Sequence, residues 1–213
     1  MDPSAVHALR PDDAGSASAV IARAFHDDPL TVHLYPDEQQ RTRMAPVMFE
    51  ALVRYDCLFG HVDHLPGFSA VATWMRPGET TETSDRLAAA GFDNLPAEVP
   101  VARLDTFFRT IGPAHQRAAP KPHWYLRLLG VDPARQGKGL GSTLLDHGLR
   151  RADETGEPCY LETFAERNVP FYLRHGFELV VDETEPSSGI RTWGFYRARK
   201  HEVVRAAHQH ARP

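Results

Sequence analysis

The clearest chemistry in this sequence is at QGKGLGS, residues 136–142, where Gly137, Gly139 and Gly141 alternate around Lys138. An apolar stretch precedes these glycines and a helical pattern follows them. The first N–H groups of a helix have no intrahelical partner and sit at the positive end of its dipole. Glycine lets another molecule approach those amides closely. A phosphate is the natural guest, and Arg135 and Lys138 add positive charge beside it. Three phosphate-binding patterns compete here. The P-loop needs G-x-x-x-x-G-K-[ST], but Lys138 is followed by Gly139. The dinucleotide fingerprint needs G-x-G-x-x-G directly after a strand. Here the spacing is G-x-G-x-G, and the residues DPARQ separate Val131 from Gly137, although Glu162 stands where a ribose carboxylate would. The third pattern, Q/R-x-x-G-x-G/A, is met by Gln136, Gly139 and Gly141.

These residues need elements to position them. Apolar spacing predicts helices over Asp13–Phe25 and Asp37–Arg54, with HDDPLTVHLYPDEQQ between them as a loop broken by Pro29 and Pro36. Two strands follow, Cys57–Val62 and Phe68–Met75, separated by the turn signal DHLPG. Arg76–Lys121 is rich in Pro, Gly and Ala and has helix-like stretches near Asp85–Ala90 and Ala102–Ile111. It is too short for a core of its own and is expected to be a helical insertion. Then come a strand at His123–Val131 and a helix at Leu140–Thr155. In that helix Leu140, Leu144, Leu145, Leu149 and Ala152 face inward, and Asp146, Arg150, Arg151 and Glu154 face water. CYLET forms the next strand. A short helix, Val169–Arg174, has Asn168 as N-cap and Gly176 as terminator. Strands at Phe177–Asp182 and Thr192–Tyr196, joined through EPSSG, complete an α/β domain with a mixed sheet. The expected organisation is one domain over 1–200 with an insertion at about 76–121, and a polar tail at 201–213.

Composition narrows the class. The 213 residues allow one sizeable core, and the apolar and charged fractions, 42% and 24%, are ordinary. A net charge of -4 argues against a general nucleic-acid binder. No apolar run approaches the ~20 residues that cross a bilayer, and the first residues lack a basic segment leading into an apolar block. A cytoplasmic protein with no membrane partner is expected. Cys57 and Cys159 lie in apolar runs and are expected to be reduced thiols. None of the 12 histidines shows metal-site spacing, so no metal is expected.

The third glycine pattern resembles the pyrophosphate loop of the GNAT acetyltransferases. In ERNVPFYLRHGFELV, Tyr172 stands four residues before Gly176, where that family carries Y-x-x-x-G-F. The order strand, glycine loop, helix, strand, short helix with Tyr, G-F, strand is similar over about Trp124–Tyr196. ARAFHDDP also looks like the start of many members. The likeness is closest to puromycin N-acetyltransferase-like members, through QGKGLGS, LETxAxRNxPFY, GF and RTW.

This resemblance implies the GNAT fold, a mixed and mostly antiparallel sheet flanked by helices, and acetyl-CoA as cosubstrate. It implies cofactor contacts from Leu129, Gly130 and Val131 on a splayed strand, with the amide near Leu129 facing the thioester oxygen. Gln136, Gly137, Lys138, Gly139, Leu140, Gly141 and Ser142 would hold the diphosphate. Many members place an Asn seven residues before the Tyr. Here that position is Ala165 and Asn168 stands four before, either as cofactor ligand or as helix cap. Tyr172 would be the acid that protonates the leaving thiolate, because a phenol near pKa ~10 can serve a thiol near ~8.5. Glu162 is the candidate base, with His33, His123 and His175 behind it. Asp27 and Asp28 would draw in a cationic amine, and Tyr35 and Trp74 would wall the acceptor. The expected reaction is acetyl transfer to a small-molecule primary amine, an antibiotic or aminonucleoside amine among them, by a monomer or homodimer. A protein or peptide acceptor, and a non-catalytic acyl-CoA sensor, are the competing readings.

Overall fold

The computed structural model describes residues 5–199. It opens with a two-residue strand β1 (His7–Ala8), followed by helices α1 (Ala14–Ala24), α2 (Pro29–Leu34) and α3 (Glu38–Phe59). Strands β2 (Gly60–His64) and β3 (Ala70–Met75) come next, then helices α4 (Ser84–Ala89) and α5 (Val101–Ala118). The second half runs β4 (Trp124–Val131), α6 (Leu140–Thr155), β5 (Cys159–Thr163), α7 (Val169–Arg174), β6 (Glu178–Thr184) and β7 (Arg191–Arg197).

The strands form one sheet in the order β1-β2-β3-β4-β5-β7-β6. Every neighbouring pair is antiparallel except β4 and β5, which are parallel. This is the mixed, mostly antiparallel sheet flanked by helices that the sequence resemblance implies. Every residue of β3, AVATWM, is buried, as a strand covered on both faces must be. One apolar cluster joins α1, α2, α3 and α5 to one face of the sheet. A second joins α6 and α7 to the other, with Trp74, Leu144, Leu145 and Phe195 at its centre. Helix α6 comes so close to β3 that a Cβ on Gly148 would collide with the Trp74 indole. The β6–β7 turn is built by Glu185, whose carboxylate accepts from Ser187 N (3.1 Å) and Ser188 N (2.6 Å).

Four sequence expectations need correction. Pro29 does not break the chain but opens α2: at the first helical position its missing N–H is not needed, and Asp28 caps the helix by accepting from Leu30 N at 3.0 Å. Cys57, Leu58 and Phe59 are not strand but the last turn of α3, since a short apolar run fits a packed helix end as well as a strand. Helix α5 runs on to Ala118 through Pro113, well past Ile111. Arg151 does not face water freely. It reaches across to buried Asp63 at 2.8 Å. Cys57 is half-buried, Cys159 is buried, and both are free thiols.

Candidate active site

The site begins where two strands part. β4 and β5 pair only at Trp124–Cys159, Tyr125–Tyr160 and Leu126–Leu161. β4 stays paired with β3 as far as Val131–Ala70. The β5-facing edge of residues 127–131 therefore has no strand partner, and its backbone groups are open to an extended guest. Gly130 also lets α1 approach. A Cβ there would come 2.8 Å from Ile21 Cδ1 and 3.1 Å from Ala24 Cβ.

At the open end of β4, Asp132 accepts from Ala134 N at 3.0 Å and from Arg23 at 2.6 Å, which fixes the turn. Gln136, although exposed, folds back on its own loop: its Nε2 donates to Val131 O at 3.2 Å. Gly137 and Gly139 have φ of 75° and 76°, left-handed values that disfavour a side chain. Gly139 caps the 16-residue helix α6 without a side-chain bond, so the amides of Leu140, Gly141 and Ser142 start the helix uncapped by any side chain. Gly137 and Lys138 are exposed beside them. Unpaired amides, a helix dipole and a cation suit a diphosphate, so these residues fit the group that the loop implies.

Beyond the fork the strands enclose a cleft of about 930 Å³. Leu128, Leu129, Glu162, Thr163 and Tyr172 line its inner end, the α1–α2 turn and α3 form one wall, and Thr80–Glu82 and α5 form the other. The 76–121 connection thus supplies part of the lining. Tyr172 is buried among Phe171, Phe177 and Phe195. Burial, and the carboxyl of Asp28 opposite, raise its phenol well above the usual range and keep it protonated. Asp28 is itself pushed up to about 6 by burial, against the pull of the Leu30 and Thr31 amides and Arg167.

Glu162 lies at the same end, its side chain only 4% exposed. Its Oε1 is 3.0 Å from His115 Nδ1. His115 Nε2 is 2.9 Å from His123 Nε2, and His123 Nδ1 donates to Lys121 O at 2.7 Å. Glu162 Oε2 is buried without a hydrogen bond. The Tyr125 and Tyr160 phenols face this carboxylate; burial and its charge raise both. His115 did not emerge from the sequence. It sits in the last turn of α5, where a histidine reads as ordinary helix-end charge, and no spacing ties it to Glu162.

Several expected site residues lie elsewhere. Tyr35 and Trp74 have zero exposure and are core, not acceptor walls. Asp27 is exposed and does not line the cleft. His33 is half-buried away from the cleft, and His175 Nδ1 donates to Phe171 O at 2.7 Å. Asn168 lines the cleft but does not cap α7. Its backbone is already helical after a preceding 3-10 turn, and its side chain instead donates to Thr163 Oγ1 at 3.0 Å. Among the described residues no group of three His, Cys, Asp or Glu is arranged to hold a metal ion, and no helix is long and apolar enough to cross a membrane.

The sequence profile of the Acetyltransferase (GNAT) family matches residues 85–177, which span α4 to the G-F after α7. An uncharacterized N-acetyltransferase of Schizosaccharomyces pombe is 29% identical over 174 residues, covering 78% of this chain and 70% of that protein. The crystal structure titled histone acetyltransferase HPA2 and related acetyltransferase, from Corynebacterium glutamicum, is 23% identical with a TM-score of 0.64, over 91% of this chain and 95% of that one. A polyamine N-acetyltransferase of Drosophila melanogaster is 13% identical with a TM-score of 0.58, over 91% and 99%. The splayed strands and the glycine loop at the mouth of α6 agree with the GNAT family profile over residues 85–177: the chain is an acyl-CoA-dependent N-acetyltransferase with the GNAT fold.

Proposed function

We propose that the acceptor is a small-molecule primary amine bound in the cleft between α5 and the β4–β5 fork. The observation that carries this is the cleft itself, about 930 Å³ shared with the acyl end of the cofactor, with the buried side chains of Asp28 and Glu162 in its lining. A volume on the order of 300–1,000 Å³ suits a drug-sized ligand. A peptide would need an open groove, whereas α5 and Thr80–Glu82 line this cleft on a further side. Phe25, Phe49 and Phe108 supply apolar walls for the body of the amine, as an aminonucleoside or another antibiotic amine would need.

Acetyl-CoA supplies the acetyl group as a thioester. The amides of Leu140, Gly141 and Ser142, with Lys138 and Arg135, hold its diphosphate. The free edge of β4 pairs with its extended arm, and the Leu129 amide faces the thioester oxygen. Asp28 attracts the ammonium. Glu162 takes one proton from it, leaving the electron pair on nitrogen for attack. Tyr172 holds the proton that the departing sulfur needs.

The test is thiol release from acetyl-CoA with aminonucleosides, aminoglycosides, polyamines, amino acids and peptides as acceptors. Turnover with a small amine is expected. Tyr172→Phe should lower kcat by about 10² or more while coenzyme A affinity is kept. Turnover confined to peptides would remove the acceptor assignment, and an unaffected Tyr172→Phe would remove the acid.

A further inference from the structure

The close polar contacts that run from Glu162 to Lys121, an ion-pair distance and two hydrogen bonds, permit a proton count. The Lys121 carbonyl only accepts, so His123 carries a proton on Nδ1. The 2.9 Å contact between the Nε2 atoms of His115 and His123 needs one proton between them. The 3.0 Å contact between His115 Nδ1 and Glu162 Oε1 needs another. Three contacts thus need three protons; two neutral imidazoles bring two, and the third sits either on the Glu162 carboxyl or on a histidine, which becomes an imidazolium. Any missing proton would set two acceptors against each other in a buried place. The third proton makes the group of side chains neutral overall instead of singly negative.

The other charges around Glu162 are otherwise engaged. On β4, Arg127 pairs with Asp56 at 3.3 Å and Glu82 at 2.9 Å. On α5, Arg109 pairs with Asp105 and Arg117 with Glu183 of β6. Tyr125 and Tyr160 face the carboxylate as protonated phenols. On β7, Gly194 lies opposite Glu162, and a Cβ there would collide with the Tyr160 hydroxyl. His115 is the group placed to balance the buried carboxylate. It cannot share a metal ion with both partners, because its two contacts leave from opposite ring nitrogens.

We propose that His115 is a positioning residue for acetyl transfer, held as an imidazolium that keeps Glu162 ionised and aimed at the acceptor. With Oε1 committed to His115, the ammonium N–H bond breaks toward Oε2, where a new O–H bond forms. The positive charge on His115 can pass to His123 by movement of one proton across the Nε2–Nε2 contact. This rests on Glu162 acting as the base, and the experiment separates the two claims.

Nitrogen-15 NMR of the histidine rings, on the full chain at neutral pH with His115→Asn for assignment, reads the proton count directly. Both His115 nitrogens protonated, and His123 protonated on Nδ1, is the expected result. A neutral His115 overturns the proposal. In kinetics, His115→Asn keeps a neutral donor to Glu162 and removes the cation. The acid limb of kcat/KM should then move to higher pH by about one unit or more, since a carboxylate without its cation holds its proton more tightly. A purely structural role would lower the amplitude and leave the limb in place. An imidazolium together with an unmoved limb would overturn the catalytic role of both residues and leave only the pairing.

Discussion

Asp28 is a carboxyl group in a place that opposes its charge. Burial raises it from 3.8 to about 6, and the N–H groups at the start of α2 offset only part of that. The folded chain therefore favours the protonated form. The stabilising contribution is complete below about pH 4 and is lost as pH rises through about 6. A shift of about two units corresponds to a penalty of up to about 3 kcal/mol at neutral pH. Asn caps a helix nearly as well as Asp. Urea unfolding of Asp28→Asn should thus show stability relative to the parent that grows between about pH 4 and 6 and is level above. A pH-independent difference would contradict this account. An ammonium beside Asp28 would favour the ionised form again, which links the stability penalty to acceptor binding. The loop HDDP marked this carboxyl as a candidate but could not separate it from Asp27, because only the fold shows which neighbour turns inward. Tyr35 and Trp74 failed as site residues for a similar reason: an aromatic side chain fills a core or walls a cleft with equal ease.

Helix α6 is where local signals and tertiary packing agree. Its limits, Leu140–Thr155, follow from left-handed glycines at both ends, Gly139 and Gly156. Those of α7 follow from Pro170 in the first turn and Gly176 beyond the last. Such punctuation acts within a few residues, so the sequence displays it. The α2 segment and the last turn of α3 differ from the sequence expectation because packing decides them: Pro29 and the run from Cys57 to Phe59 are each compatible with two backbones. Gly148 shows the tertiary part of α6. Gly148→Ala would drive a methyl group into the Trp74 ring, a rigid neighbour that cannot swing aside. The expected loss is about 1–3 kcal/mol, seen as a fall in Tm of roughly 2–4 °C per kcal/mol in calorimetry. An unchanged Tm would mean that α6 can lift from β3 without penalty.

The molecule as a whole is two half-sheets joined by a short parallel ladder at Trp124–Leu126 and Cys159–Leu161. A cofactor lying along the free edge of β4 and reaching the mouth of α6 would bind the folded chain alone. Coenzyme A at a hundred times its Kd should add about 2.7 kcal/mol, or on the order of 5–10 °C in Tm. No shift at that excess would rule out the loop and strand edge as the cofactor site. The residues proposed to hold the cofactor lie close together, between Leu129 and Ser142, so their spacing can be read directly from the sequence. Around the cleft, Asp28, Glu162 and Tyr172 can be named singly from the sequence but their grouping with His115 cannot, because the four come from separate elements that only the closed sheet brings together. That division has a consequence for how such a chain changes over time. β3 and β4 are adjacent antiparallel partners, so a tight turn would suffice to join them, yet residues 76–123 intervene. The part that screens the incoming amine is thus an excursion between two paired strands. Outside the buried Leu104, Phe107 and Ile111 that tie α5 to the core, it can be lengthened or rewritten to suit another nucleophile while the strand register and the glycine loop stay as they are.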